Sequence, residues 1–140
     1  MFVGLTGGTG FIGQYALLEM LANTDWSFVC ASMRSNFCGL VSSPRIHYVH
    51  SDYTPKNLRE VFSGIDALVH LGSSVPSNYQ QDSEFERACV EGIASANVLF
   101  SFCAEAGIRN IVFSSSIAVY GDSYVIHGGG VYGILPSMNN

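Results

Sequence analysis

The stretch that decides the fold is residues 2–13, which read Phe-Val-Gly-Leu-Thr-Gly-Gly-Thr-Gly-Phe-Ile-Gly. Its first five residues are mostly apolar and are followed at once by glycines, which predicts a short buried strand. Apolar residues at helical spacing begin after the glycines. Gly7, Gly10 and Gly13 therefore lie where a strand turns into a helix. This context, together with the spacing of the glycines, is typical of a loop that binds a dinucleotide.

Each glycine of this loop has a separate physical role. Gly7 permits the tight turn, Gly10 lets a pyrophosphate approach the backbone, and Gly13 lets the helix pack close to the sheet. Phe11 and Ile12 open the helix, where free N–H groups and the positive end of the helix dipole favour phosphate. A glycine-rich turn without a ligand remains the alternative.

Strands and helices alternate along the rest of the chain. Apolar strands are predicted at Phe2–Thr6, Trp26–Ser32, Ile46–His50, Ala67–Leu71 and Asn110–Ser114, and helices at Phe11–Ala22, Pro55–Phe62 and Asp82–Ala106. This alternation predicts an α/β fold, a doubly wound parallel sheet of the Rossmann type. We expect one partial Rossmann domain over residues 1–123, truncated after the fifth strand, and an irregular tail over residues 124–140.

Composition excludes several classes of protein. The chain has 140 residues, a net charge of −5 and only six Lys and Arg residues, so nucleic-acid binding has no electrostatic basis. Apolar runs are too short for a membrane span, and no basic segment precedes the first strand as in a secretory signal. The four cysteines form no Cys-x-x-Cys pair and the histidines show no ligand spacing, which favours reduced thiols, a cytoplasmic protein and no metal site.

Four segments resemble those of one known family. Thr6–Gly13 has the spacing Thr-Gly-x-x-Gly-x-x-Gly, and His50–Asp52, Asp66–Gly72 and Phe113–Asp122 follow in the family's order. Together they resemble the NAD-dependent epimerase/dehydratase family, the extended branch of the short-chain dehydrogenases/reductases. The last segment is similar to the active-site strand and loop of nucleotide-sugar epimerases. The resemblance implies a dinucleotide cofactor, a nucleotide-sugar substrate and a homodimer formed through the helix at Asp82–Ala106.

The resemblance also assigns the cofactor contacts. Asp52 would accept from the adenine amino group, Tyr53 would supply backbone contact, and the cofactor would be lined by Leu71, Gly72 and Ser73. No acidic residue follows the second strand, where a ribose of NAD is usually bound, and Arg34 stands there instead. NADP or NAD is therefore expected, with Arg34 favouring NADP. The alternatives are a solvated charge at Arg34 and a helix-capping role for Asp52.

Catalysis in the resembled family uses a Ser, a Tyr and a Lys four residues after that Tyr. Ser116 matches the catalytic Ser, and Ser114, nearer the strand, is assigned to the cofactor. The single lysine is Lys56, and Asp52 stands four residues before it, so no Tyr-x-x-x-Lys motif lies within these 140 residues.

Three functions remain open at this point. The first is an NAD(P)-dependent epimerase/dehydratase acting on a nucleotide-sugar, present as its cofactor-binding half and inactive alone. The second is a non-catalytic dinucleotide-binding module or pseudoenzyme. The third is an NADP-dependent reductase of a small carbonyl substrate.

Overall fold

A computed structural model of the chain describes residues 1–75, 78 and 81–115, together with the backbone of residues 124–127 and 130–133. The strands are β1 (Phe2–Thr6), β2 (Ser27–Ser32), β3 (Ile46–His50), β4 (Ala67–His70), β5 (Asn110–Phe113), β6 (Tyr124–His127) and β7 (Gly130–Gly133). The helices are α1 (Phe11–Asn23), α2 (Pro55–Val61) and α3 (Asp82–Ala106). The boundaries of β1 to β5 and of the three helices agree with the sequence predictions to within one residue at each end.

The first five strands form one parallel sheet in the order β3-β2-β1-β4-β5. The chain moves outward from β1 to β3 and then crosses back to place β4 on the other side of β1. This confirms the predicted doubly wound α/β fold. Such a reversal leaves a crevice at the carboxyl ends of β1 and β4, which is where open parallel sheets bind ligands.

Local signals explain where two of the helices begin and end. Thr54 precedes α2, its side-chain oxygen accepts from the N–H of Asn57, and Pro55 occupies the first turn. Gly107 ends α3 in the left-handed conformation, with φ of 73°. Both roles agree with the sequence.

Two hydrophobic clusters cover the two faces of the sheet. Val29 and Ala31 of β2 face the cluster that α2 and α3 complete, while Phe28 and Cys30 face the cluster that includes Leu17 of α1. This alternation is the two-residue period of a strand that is covered on both sides.

Helix α3 is only partly a core helix. Apolar residues at helical spacing along α3 form a stripe that would be expected to belong to the core. Leu99 and Cys103 of this stripe are buried against the sheet, whereas Phe85, Cys89 and Ile93 are exposed. The stripe is therefore not part of the core in its first half. A helix of 25 residues is about 37 Å long, whereas strands of four to six residues span only about 13–20 Å. α3 is also long and apolar enough to cross a membrane by length and composition alone, but here its second half packs on the sheet.

The segment predicted to be irregular contains two strands. β6 and β7 pair antiparallel, with His127 opposite Gly130. Two residues, Gly128 and Gly129, separate the strands in sequence, and a Gly-Gly pair favours the tight connections of hairpins. The tail prediction overlooked this signal because the strands are short and flanked by turn-forming residues.

Candidate functional site

The junction between β1 and α1 requires glycine at two positions, one in the turn and one in the first turn of the helix. Gly7 has φ of +72°, and a Cβ there would lie 2.5 Å from the backbone nitrogen of Gly72. A Cβ on Gly13 would overlap the carbonyl oxygen of Gly7. The first residue thus allows the turn and the β4 loop to meet, and the second lets α1 pack directly on the turn.

Gly10 differs from these two because space remains around it. It precedes α1 with ordinary extended angles, φ −87° and ψ 173°. A Cβ on it would meet only the carbonyl oxygen of Gly7, at 3.3 Å. No side chain caps the N-terminus of α1, and its first turn carries no acidic residue. The first turn of α1 therefore has free N–H groups, at Phe11 and Ile12, that are available to an anion. The side chains of both residues are exposed.

A buried side-chain pair ties the β1 loop to the β4 loop. The hydroxyl of Thr6 lies within hydrogen-bond distance of Nδ1 of His70 and also accepts from the N–H of Gly72 at 3.3 Å. The N–H of Leu71 donates to the carbonyl of Thr6 at 3.1 Å. Burial lowers the pKa of His70 from its ordinary value, so the imidazole stays neutral near pH 7. The pair fixes both edges of the crevice.

A cleft of about 410 Å³ opens at these loops. We call it the central cleft. Five of the residues assigned to the cofactor from sequence line it, namely Gly7, Asp52, Tyr53, Gly72 and Ser73. Its volume lies in the range typical of small-molecule sites.

Asp52 and Tyr53 form the end of the central cleft beyond β3. Both the backbone N–H and the hydroxyl of Thr54 donate to Oδ1 of Asp52, at 2.9 and 2.8 Å. These bonds hold the pKa of the exposed Asp52 carboxyl below its usual range. Tyr53 has φ of +56°, unusual for a residue with a Cβ. Its hydroxyl donates to the carbonyl of Ala31 at 2.8 Å, and burial raises the pKa of Tyr53 to about 12. Asp52 thus supports the start of α2 while its carboxylate lies at the cleft.

Arg34 lies beside the glycine-rich turn. Its guanidinium donates to the carbonyl of Thr9 at 3.4 Å, and its side chain is exposed. Ser32 holds the same region together, because its hydroxyl bonds to that of Thr9 at 3.1 Å and accepts from the N–H of Arg34. A cation therefore stands just beyond the end of β2 and next to the glycine-rich turn, and its role toward a phosphorylated ribose stays a prediction.

The remaining predicted residues are placed less directly. Ser114 follows β5, is exposed, and donates its N–H to the carbonyl of His70 at 3.0 Å. It lies at the carboxyl end of the sheet but does not line the central cleft. Ser116 lies outside the residues that the structure describes.

Several lining residues were not assigned from sequence. They are Thr6, Ser32, Met33, His70, Ser74, Glu91, Ser95 and Leu99. Glu91, Ser95 and Leu99 are separated by four residues each and so share one face of α3. Leu99 is an apolar residue of α3 that is fully buried, and the four-residue spacing places Glu91 and Ser95 on its side of the helix. Ser74 Oγ donates to Glu91 Oε2 at 2.7 Å.

No group of three potential metal ligands occurs within the described part of the chain. Cys30 and Cys103 are buried free thiols, and burial raises the pKa of both, that of Cys30 to about 12. These two cysteines therefore belong to the core.

Several known proteins are similar to this chain in sequence and in fold. A sequence model described as "NAD dependent epimerase/dehydratase family" matches residues 3–129. UDP-glucose 4-epimerase of Neisseria gonorrhoeae is 30% identical over 138 residues, which is 88% of this chain and 39% of that protein. The crystal structure of UDP-N-acetylglucosamine 4-epimerase from Bacillus cereus is 28% identical, with a TM-score of 0.68 over 87% of this chain and 42% of that one.

A third similar structure was solved with ligands. MoeE5 in complex with UDP-glucuronic acid and NAD is 25% identical, with a TM-score of 0.68 over 88% of this chain and 39% of that one. The chain thus spans about two fifths of the length of the relatives it matches. Because the family match extends from β1 to beyond β6, this chain belongs to the NAD-dependent epimerase/dehydratase family.

Proposed function

We propose that this chain forms the dinucleotide-binding part of an NAD(P)-dependent enzyme that acts on a nucleotide-sugar. One observation carries the proposal: the open N-terminus of α1 at Gly10 lies at the glycine-rich turn, whose Gly7 lines the central cleft. Phosphate binds well at such a helix end because free N–H groups and the helix dipole both favour an anion.

The residues present fit a dinucleotide. The space beside Gly10 would admit the pyrophosphate, since only one backbone atom lies within 4 Å of a Cβ built there. The adenosine half would extend past β2 and β3 toward Asp52 and Tyr53, and the nicotinamide half past β4 toward Gly72 and Ser73. When bound, the nicotinamide supplies hydride acceptance or donation.

Cofactor choice depends on Arg34. NADP differs from NAD by a 2′-phosphate, and a guanidinium is the side chain best suited to bind it. Arg34 stands at the end of β2 with no carboxylate beside it in sequence. The description of the family names NAD, and MoeE5 was solved with NAD. Because Arg34 favours NADP, the first binding experiment includes both NAD and NADP.

The similarity to UDP-sugar enzymes supports the substrate class. In this proposal Ser116 would hold a substrate oxygen, as the matching Ser of the family does. The base that would remove a hydroxyl proton is not supplied by a Tyr-x-x-x-Lys pair within these 140 residues, because Lys56 is the only lysine. A tyrosine at its ordinary pKa of about 10 is almost wholly protonated at pH 7.

Calorimetry with NAD and NADP, each with and without UDP-glucose, tests this proposal. We expect the 140-residue chain to bind a dinucleotide and to show no epimerase turnover with UDP-glucose. Failure to bind either dinucleotide would refute the proposed function. Measurable turnover would show that a base other than the family pair is present. A non-catalytic dinucleotide-binding module would give the same result, binding without turnover. The absence of a second lysine in these 140 residues favours that alternative as well. If the reading frame continues beyond Asn140, the extended chain separates the two, because only an enzyme gains turnover.

A further inference from the structure

The central cleft is lined by two carboxylates and by no lysine or arginine among its described residues. Asp52 lies at the β3 end, and Glu91 enters from α3 near the loop that follows β4. Because β4 and β3 lie on opposite sides of β1, these two charges flank opposite ends of the cleft. A role for Glu91 toward a bound cofactor rests on the proposed dinucleotide function.

Glu91 is held at the cleft by a specific contact. Ser74 Oγ donates to its Oε2 at 2.7 Å, and Ser74 belongs to the loop that also contributes Gly72 and Ser73 to the lining. This bond joins α3 to the β4 loop and holds one oxygen of the exposed carboxylate at that loop. Oε1 has no hydrogen bond recorded within the described residues.

Glu91 lies on the side of the cleft where the nicotinamide half of a dinucleotide would bind. The pyrophosphate lies at the turn after β1 and the adenine ribose at the end of β2, so the nicotinamide half must extend toward β4. That is the side on which Ser74 and Glu91 stand. Oxidised nicotinamide carries a formal positive charge on its ring, whereas reduced nicotinamide is neutral. A carboxylate on this side therefore interacts differently with the two redox states.

We propose that Glu91 is a redox-state-selective residue whose carboxylate, held by Ser74, stabilises bound oxidised nicotinamide relative to reduced nicotinamide. Glu91 is exposed, so water screens the attraction. At the dielectric constant of water, a pair of unit charges about 6 Å apart changes an equilibrium about threefold. The effect is on the ratio of the two affinities and not on dinucleotide binding as a whole.

The test is the ratio of dissociation constants for NAD+ and NADH, measured by calorimetry and by NADH fluorescence on the wild-type chain and on Glu91→Gln. Gln is nearly isosteric and its amide oxygen still accepts from Ser74, so the substitution removes charge and little else. We expect the variant to shift the ratio about threefold toward NADH. The matched control is Glu86→Gln, an exposed residue of α3 outside the cleft, which removes the same charge and should leave the ratio unchanged.

The outcomes are distinguishable. Equal weakening of NAD+ and NADH in Glu91→Gln would overturn the proposal, because it is the signature of a group that binds the ribose in both states. An unchanged ratio would overturn it as well. A second variant, Ser74→Ala, keeps the charge but frees the side chain, and we expect a smaller shift in the same direction. If the wild-type chain binds only the phosphorylated cofactor, the same ratio is measured with NADP+ and NADPH. If it binds none of the four dinucleotides, the proposed function itself has failed. Thermal unfolding of each variant verifies that it is folded.

Discussion

The Thr6 hydroxyl and His70 Nδ1 are 64 residues apart in sequence, yet they form a buried hydrogen bond between the ends of β1 and β4. Gly72 donates its N–H to the same Thr6 oxygen. One short polar cluster therefore sets the spacing of the two loops that border the central cleft. Because this cluster contains the buried imidazole of His70, we expect the stability of the chain to depend on pH.

We expect stability to be lost as pH falls below about 6.5, the ordinary pKa of histidine. Burial lowers the pKa of His70, so the unfolded chain takes up a proton that the folded chain resists. The folded state is therefore favoured above the unfolded-state pKa and loses that advantage as pH decreases toward the folded-state pKa. Urea unfolding at pH 8 and pH 5.5 measures the loss. His70→Asn should reduce it, whereas His47→Gln, at an exposed site, should not. Equal pH dependence in wild type and His70→Asn would contradict the prediction.

Gly10→Val should abolish dinucleotide binding while the chain remains folded. The extended angles of Gly10 accept a branched residue, and little protein surrounds its Cβ position. The added methyl groups would instead occupy the space proposed for the pyrophosphate. Calorimetric titration of both proteins gives the affinity, and circular dichroism verifies the fold. Equal affinity in wild type and variant would remove the phosphate-binding role of this turn.

Two glycines inside helices should respond to alanine in opposite directions. Gly13→Ala should destabilise the chain by about 2–3 kcal/mol, because the new Cβ overlaps the Gly7 carbonyl and the helix must move away. Gly92 in α3 has no atom within 4 Å of its Cβ position, so Gly92→Ala should stabilise by about 0.5–1 kcal/mol. Urea denaturation of both variants makes the comparison. A similar change in both would show that α1 does not pack tightly on the turn.

Arg34→Asp should reverse cofactor preference. The wild-type chain is expected to bind NADP more tightly than NAD, because the guanidinium pairs with the 2′-phosphate. Aspartate repels that phosphate and accepts from both ribose hydroxyls, so a change of about tenfold in the affinity ratio is expected. Competitive titration of the two cofactors measures the ratio. An unchanged ratio would make Arg34 a surface charge that only bonds to Thr9.

The 140-residue chain should self-associate through β5. This strand pairs only with β4 in the described sheet, and Ile111, Val112 and Phe113 are all exposed. An apolar edge strand with free N–H and C=O groups readily pairs with another copy. Val112→Lys should lower the mass measured by light scattering, since a charge on an edge opposes pairing. A wild-type chain that remains monomeric at high concentration would refute this prediction.

Much of the fold is predictable from local sequence. The Thr54-Pro55 start of α2 and the Gly107 end of α3 both follow from backbone requirements within a few residues. The glycine-rich turn is predictable for the same reason, because Gly7 adopts a conformation that few other residues adopt. The hairpin of β6 and β7 is also indicated locally, because a Gly-Gly pair separates the two strands in sequence.

Burial is harder to predict, because periodicity states which residues share a face and not what covers that face. Leu17 is the large buried side chain of α1, while Ile12, Tyr15 and Leu18, which continue its apolar pattern, are exposed. α3 shows the same limit along its length, because Phe85 and Ile93 are exposed whereas Leu99 of the same apolar stripe is buried.

The sequence by itself determined the order of the elements, the parallel α/β class and the glycine-rich turn, since these depend on side-chain period and on the backbone freedom of glycine. Only the tertiary structure decided which distant groups meet. Ser74 and Glu91 are brought together because α3 packs across the end of β4, and Thr6 meets His70 because β1 and β4 are neighbours in register. Such contacts depend on sheet order and on the position of each helix along the sheet, which no local pattern specifies.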